Sequence, residues 1–169
     1  MKNNNKPVYN KQNTQNIRDQ INQWITSTNP THFLSVQFPP HKRKSDLDLS
    51  KKTLRLVLKN FQRHLLKRHW NKKSLPFIAV AEKGDSPTFH FHVLFYAYKY
   101  TKDQIQVALN KTLDNMNLPP ETLVLKPIEE TPYYVHSYCT KEIVADVDRH
   151  FNSDRIIFSE ELFDLPVKK

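Results

Sequence analysis

The sequence predicts an α+β fold: one central, five-stranded, mostly antiparallel sheet flanked by helices. Three observations predict it. Five short runs are rich in strand formers: FLSVQF, LPFIAVAE, FHFHVLFYAY, TLVL and RIIF. Helical periodicity fills the segments between them in the order α-β-α-β-β-α-β-α-β, and the spacings are not all those of βαβ units. The second and third runs are joined by Lys83–Thr88 (KGDSPT), whose turn chemistry makes them an antiparallel hairpin.

The elements follow in chain order. Residues 1–13 are polar and are expected to be a flexible tail, with residues 14–169 as a single domain. Thr14 is a suitable cap for a short helix with Ile17, Ile21, Trp24 and Ile25 on one side, ended by Asn29-Pro30. The first strand runs from Phe33 to Phe38 and closes at Pro39-Pro40. After Ser50, a suitable cap, Leu54, Val57, Leu58, Phe61 and Leu65 share one side of a helix. The hairpin follows, with Phe89, Phe91, Val93 and Phe95 directed to the core. Thr101 and Gln104 form a capping box for a helix with Ile105, Ala108, Leu109, Leu113 and Met116 inward, stopped by Pro119-Pro120. Thr122–Leu125 is a short strand. Thr131-Pro132 opens a helix to about Asp148, and Arg155–Phe158 is the last strand.

Composition removes several function classes. The one glycine, Gly84, cannot supply a Walker A loop or a dinucleotide-binding loop, so no NTPase or helicase motor is encoded here. No run approaches the roughly 20 apolar residues of a membrane span. The one cysteine, Cys139, has no partner for a disulfide, and a cytoplasmic compartment is expected. The net charge of +9 is concentrated: His41–Lys73 holds twelve Lys/Arg against two acids, whereas the rest holds fourteen against fifteen. Within that segment Lys51, Arg55, Lys59 and Arg63 fall on one helix face beside the apolar stripe. Such a ridge suits a polyanion such as nucleic acid, and equally a solvated helix.

Two constellations carry chemistry. His90 and His92 are separated by one residue in a strand and project to the same side, where two neutral imidazoles can share a divalent ion. The hairpin returns Glu82 towards them, adding a carboxylate and making a three-ligand site with open positions. On the helix that begins at Thr131, Tyr134, Tyr138 and Lys141 share a face. A phenol is a weak nucleophile at its ordinary pKa, but a neighbouring cation and a metal-polarised phosphate would activate it. Each constellation alone is also what a surface His pair, or packing tyrosines on a half-buried helix, would look like.

Three segments in order resemble the HUH (His-hydrophobe-His) endonucleases, the rolling-circle replication initiators and their relatives. FLSVQFP is similar to the family's first motif. Glu82-Lys83-Gly84 followed by His90-Phe91-His92 resembles the metal motif, most closely that of parvovirus initiators. Tyr138-Cys139-Thr140-Lys141 matches the Tyr-x-x-Lys motif, and the run from Tyr134 to Lys141 is similar to the two-tyrosine pattern of phage initiators. The resemblance covers about residues 32–159. It implies a ferredoxin- or RRM-like sheet, with Glu82, His90 and His92 binding Mg²⁺ or Mn²⁺. It implies that Tyr138 attacks the scissile phosphate to form a 5′-phosphotyrosine, with Lys141 assisting. Tyr134 is secondary, because Ser137 stands where a second such motif would carry lysine.

The expected partner is single-stranded DNA at an origin hairpin or nick site, contacted on its backbone by Lys51, Arg55, Lys59 and Arg63. Unwinding would come from a separate helicase. The expected compartment is the cytoplasm, or the host nucleus for a virus of eukaryotes. Three other readings stand beside this one. A single-strand transposase or relaxase would use the same chemistry. A non-catalytic RRM-like binding module would leave His90, His92 and Lys141 without a role. A hydrolytic metal nuclease would use Tyr138 only for packing.

Overall fold

A computed structural model describes residues 29–39, 46–83, 88–128 and 156–159, together with positions 16, 19, 23 and 27. Those four isolated positions are helical and exposed, in agreement with the first expected helix. The helix expected from Thr131 to about Asp148 lies outside the described residues.

Five strands, β1 (His32–Val36), β2 (Phe77–Glu82), β3 (His90–Phe95), β4 (Leu123–Pro127) and β5 (Ile156–Phe158), form one sheet. Its order is β4-β1-β3-β2-β5, and every described pairing is antiparallel. The histidine strand β3 is therefore central. Two helices, α1 (Leu47–Leu66) and α2 (Lys102–Met116), cover one face of the sheet.

Local chemistry explains where the helices begin and end. The α1 cap is Asp46 rather than Ser50: its side chain accepts from the Leu49 N–H at 2.8 Å. The Ser50 hydroxyl instead donates to the Asp46 carbonyl within the first turn. An aspartate caps as well as serine and adds a negative charge at the positive end of the helix, so the helix starts a turn earlier than its apolar stripe implies. The expected capping box of α2 is present. The Gln104 N–H donates to the Thr101 hydroxyl at 3.2 Å, and the Thr101 N–H to the Gln104 side chain at 3.0 Å. Asn117 ends α2 in the left-handed conformation (φ 48°, ψ 56°), a role open to asparagine at modest steric cost. Pro119 and Pro120 follow.

Side-chain alternation sorts the sheet into two faces. Leu34, Val36, Phe77, Ala79, Ala81, Phe91, Val93 and Phe95 pack beneath the helices with Leu54, Val57, Phe61, Ile105 and Leu109. Phe61 meets Phe95 edge-on at 5.5 Å. Phe33, Ile78, Val80, Leu94 and Ile156 occupy the other face and are buried as well. That second face is thus shielded from water. It carries Glu82, His90 and His92.

Candidate metal centre

Strand register builds this site. Glu82 on β2 lies directly opposite His90 on β3, and Val80 lies opposite His92. A residue and its second neighbour along a strand share a face, so the three polar side chains stand on one patch. The glutamate reaches both rings through one oxygen. His90 Nε2 donates to Glu82 Oε2 at 3.0 Å, and His92 Nε2 donates to the same oxygen at 2.7 Å. The imidazole rings meet edge-on with centroids 5.2 Å apart.

Burial gives the arrangement its electrostatic character. Glu82 and His92 are buried, whereas His90 is only partly covered. The site therefore has a closed inner end and an open rim at His90. Burial pushes the His92 pKa below its ordinary 6.5, against the opposing hydrogen bond and charge of Glu82; His90 adds a small push in the same direction. His92 is thus held in its neutral form at neutral pH, the form that coordinates metal.

Glu82, His90 and His92 each offer one ligand atom, and all three atoms lie within 4.8 Å of one another. Two imidazole nitrogens and a carboxylate oxygen are an acceptable donor set for a divalent ion. A cation would replace the two N–H protons now shared with Oε2. The group could hold a metal ion, and three donors leave coordination positions for other ligands.

Sequence reasoning did not find two neighbours of the site. Phe33 on β1 stacks on the His92 ring, with centroids 5.2 Å apart and planes 18° from parallel. Ser35 is the β1 residue opposite His92 in the register. The alternation in FLSVQF marked them as one face of a strand. Only the pairing of β1 with β3 places them beside the histidines.

The other expected functional residues divide. Lys51, Arg55 and Lys59 are half-buried on α1 and Arg63 is exposed. They belong to the helix that packs on the opposite face of the sheet, so the structure does not bring them to the Glu82 group. Tyr134, Tyr138 and Lys141 lie outside the described residues.

The family model for the replication-associated protein ORF2 matches residues 22–143. This span is well over half of the chain. The chain belongs to this family of replication-associated proteins. The match is consistent with the rolling-circle initiator resemblance, and it contains the three converging donors as well as Tyr134, Tyr138 and Lys141. No curated protein and no solved structure matches the chain. Among the described residues, no helix is long and apolar enough to cross a membrane.

Proposed function

We propose that this protein is a metal-dependent, site-specific nicking and joining enzyme for single-stranded DNA that initiates rolling-circle replication of a plasmid or virus. The observation that carries the reading is the convergence of Glu82, His90 and His92 on one point of a replication-associated protein. Glu82, His90 and His92 bind the ion, which is Mg²⁺ or Mn²⁺. The bound ion supplies polarisation of the scissile phosphate.

The phenol oxygen of Tyr138 attacks the phosphorus as its proton leaves. A Tyr138–phosphate bond forms and the bond from phosphorus to the 3′ oxygen breaks. That oxygen takes up a proton and departs as a 3′-hydroxyl, while the 5′ end stays on the protein. Lys141 orients the phosphate or the phenol. Joining is the reverse step, with a 3′-hydroxyl displacing Tyr138, so no external energy source is required. Tyr134 is a secondary nucleophile for a consecutive transfer. Residues 14–169 act as one catalytic domain, in the cytoplasm or a host nucleus, and a separate helicase opens the duplex.

The test is incubation with short single-stranded DNAs and Mn²⁺, read by denaturing gels and by mass spectrometry of the protein. A DNA adduct on Tyr138 that is lost in Tyr138→Phe is the expected result. Cleavage without an adduct would replace this reading with a hydrolytic nuclease. Binding with no cleavage, across a diverse oligonucleotide pool and several divalent ions, would replace it with a non-catalytic module.

A further inference from the structure

The segment that leaves α1 is Lys67-Arg68-His69-Trp70-Asn71-Lys72-Lys73, and all seven residues are exposed. It carries four Lys/Arg and no acid. Trp70 stands in the middle with 44% of its surface open to water. An exposed indole forgoes the large gain of burying an aromatic ring, so its position needs a reason other than packing.

The segment is held in a defined shape. The Trp70 N–H donates to the Lys67 carbonyl at 3.2 Å, and the Lys72 and Lys73 N–H groups both donate to the His69 carbonyl at 3.0 Å. Buried Gln62 accepts from the Leu75 N–H and ties the returning chain to α1. Lys67 adopts φ 51°, ψ −125°, a conformation costly for a residue with a Cβ. The turn thus presents Trp70 from a fixed backbone.

A cleft of about 240 Å³ opens beside the indole, lined by Lys59, Gln62, Trp70, Asn71, Lys72 and Lys73 among others, none of them acidic. Lys59 belongs both to this cleft and to the ridge of Lys51, Arg55 and Lys59, so the two cationic surfaces are continuous. A larger cleft of about 640 Å³ on the other side of the turn adds His64, Lys67, Arg68 and Lys111, with Asp103 as its one acid. The positive field there is visible in His64, whose pKa is pushed down first by burial and then by Lys111 and Arg63.

We infer that the turn around Trp70, continuous with the α1 ridge, is a second nucleic-acid contact that holds single-stranded DNA by stacking a base on the indole while Lys59, Lys72 and Lys73 track the phosphates. Stacking needs an unpaired base, since duplex bases keep their faces covered. A surface of lysines alone would not distinguish the two forms. This surface lies on the helical side of the sheet, away from Glu82, His90 and His92. It needs no metal, so it stands or falls separately from the strand-transfer reading.

The test uses the full chain in EDTA, where cleavage cannot occur. Fluorescently labelled oligo-dT and a matched duplex are titrated and followed by anisotropy. Trp70→Ala is expected to weaken oligo-dT binding about 10-fold, within the range for loss of one stacked base. Duplex binding should change far less, and Trp70→Phe should restore most of the affinity. Lys72→Ala with Lys73→Ala should flatten the salt dependence for oligo-dT by roughly 0.7 for each phosphate no longer neutralised. Photo-crosslinking of wild-type protein to a bromouracil oligonucleotide should attach DNA at Trp70, a readout independent of any variant's folding. Equal losses on single strand and duplex, unchanged affinity in a folded Trp70→Ala, or no crosslink at Trp70 would overturn the inference. Displacement of oligo-dT by polyglutamate at the same charge concentration would overturn it in favour of an acidic protein partner.

Discussion

The two faces of this sheet use charge in opposite ways. On one face, one carboxylate and two imidazoles are drawn together among buried apolar residues, with hydrogen bonds of 2.7 and 3.0 Å. On the other, α1 carries Lys51, Arg55, Lys59 and Arg63 on its half-buried to exposed side. Few groups suffice on the first face because water is excluded and each interaction acts at low effective dielectric. Many are required on the second, since each exposed cation is screened by solvent and salt. A single basic, histidine-bearing chain thus separates tight, geometric recognition from weak, additive attraction by placing a sheet between them.

Removing a buried donor should have the largest effect, and on the first face alone. His92→Ala should lower divalent-ion affinity by more than about 100-fold, since even the loss of an outer partner of a ligand costs roughly 10–100-fold. Calorimetric titration with Mn²⁺ checks it, and affinity within a few-fold of wild type would remove His92 from the donor set. Removing the exposed charges should act differently. The combined substitution of Lys51, Arg55, Lys59 and Arg63 by Ala should leave ion affinity near wild type. It should also flatten the dependence of single-stranded DNA binding on salt by roughly 0.7 for each phosphate that the ridge neutralises in wild type. A salt dependence identical to wild type would show that this ridge does not meet DNA.

The smallest expected effect concerns protons. Burial lowers the His92 pKa in the folded chain, so the unfolded chain binds this proton more readily. The penalty is absent above the ordinary value of 6.5 and grows as pH falls from there towards the folded value. In metal-free protein the melting temperature should therefore decline below pH 6.5, and His92→Gln should show a flatter profile. Saturating Mn²⁺ should oppose the decline until protons displace the ion. Coincident metal-free profiles for wild type and His92→Gln would show that burial does not act on this ring.

Much of this was legible in the chain itself because the signals are local. The His-x-His spacing on an alternating strand put both rings on one face, and the turn-rich Lys83–Thr88 segment returned Glu82 to them. Thr101, Gln104 and the prolines at 119 and 120 marked the bounds of α2. The same locality explains the α1 cap: the apolar stripe begins at Leu54, so Ser50 looked like the start, whereas Asp46 competes for the same N–H groups one turn earlier. The expected third strand extended to Tyr98, yet β3 ends at Phe95, where the Tyr96 N–H turns to the Pro76 carbonyl. Tyr96 and Tyr98 kept the alternation without the partner strand that would continue the ladder.

Local patterns were enough for the order of the described elements, the pairing of β2 with β3 and the convergence of Glu82 with His90 and His92. These depend on period-2 alternation and a short connection, both encoded within a few residues. Packing between distant segments settled the rest: that β3 is central, that Phe33 lies against His92, and that the basic ridge and Trp70 lie across the sheet from the three donors. Alternation assigns a side chain to one of two faces. It does not say which distant strand becomes the neighbour, or which face the helices will cover. Those choices are made by the joint burial of apolar surface from segments far apart in the chain, which no local pattern records.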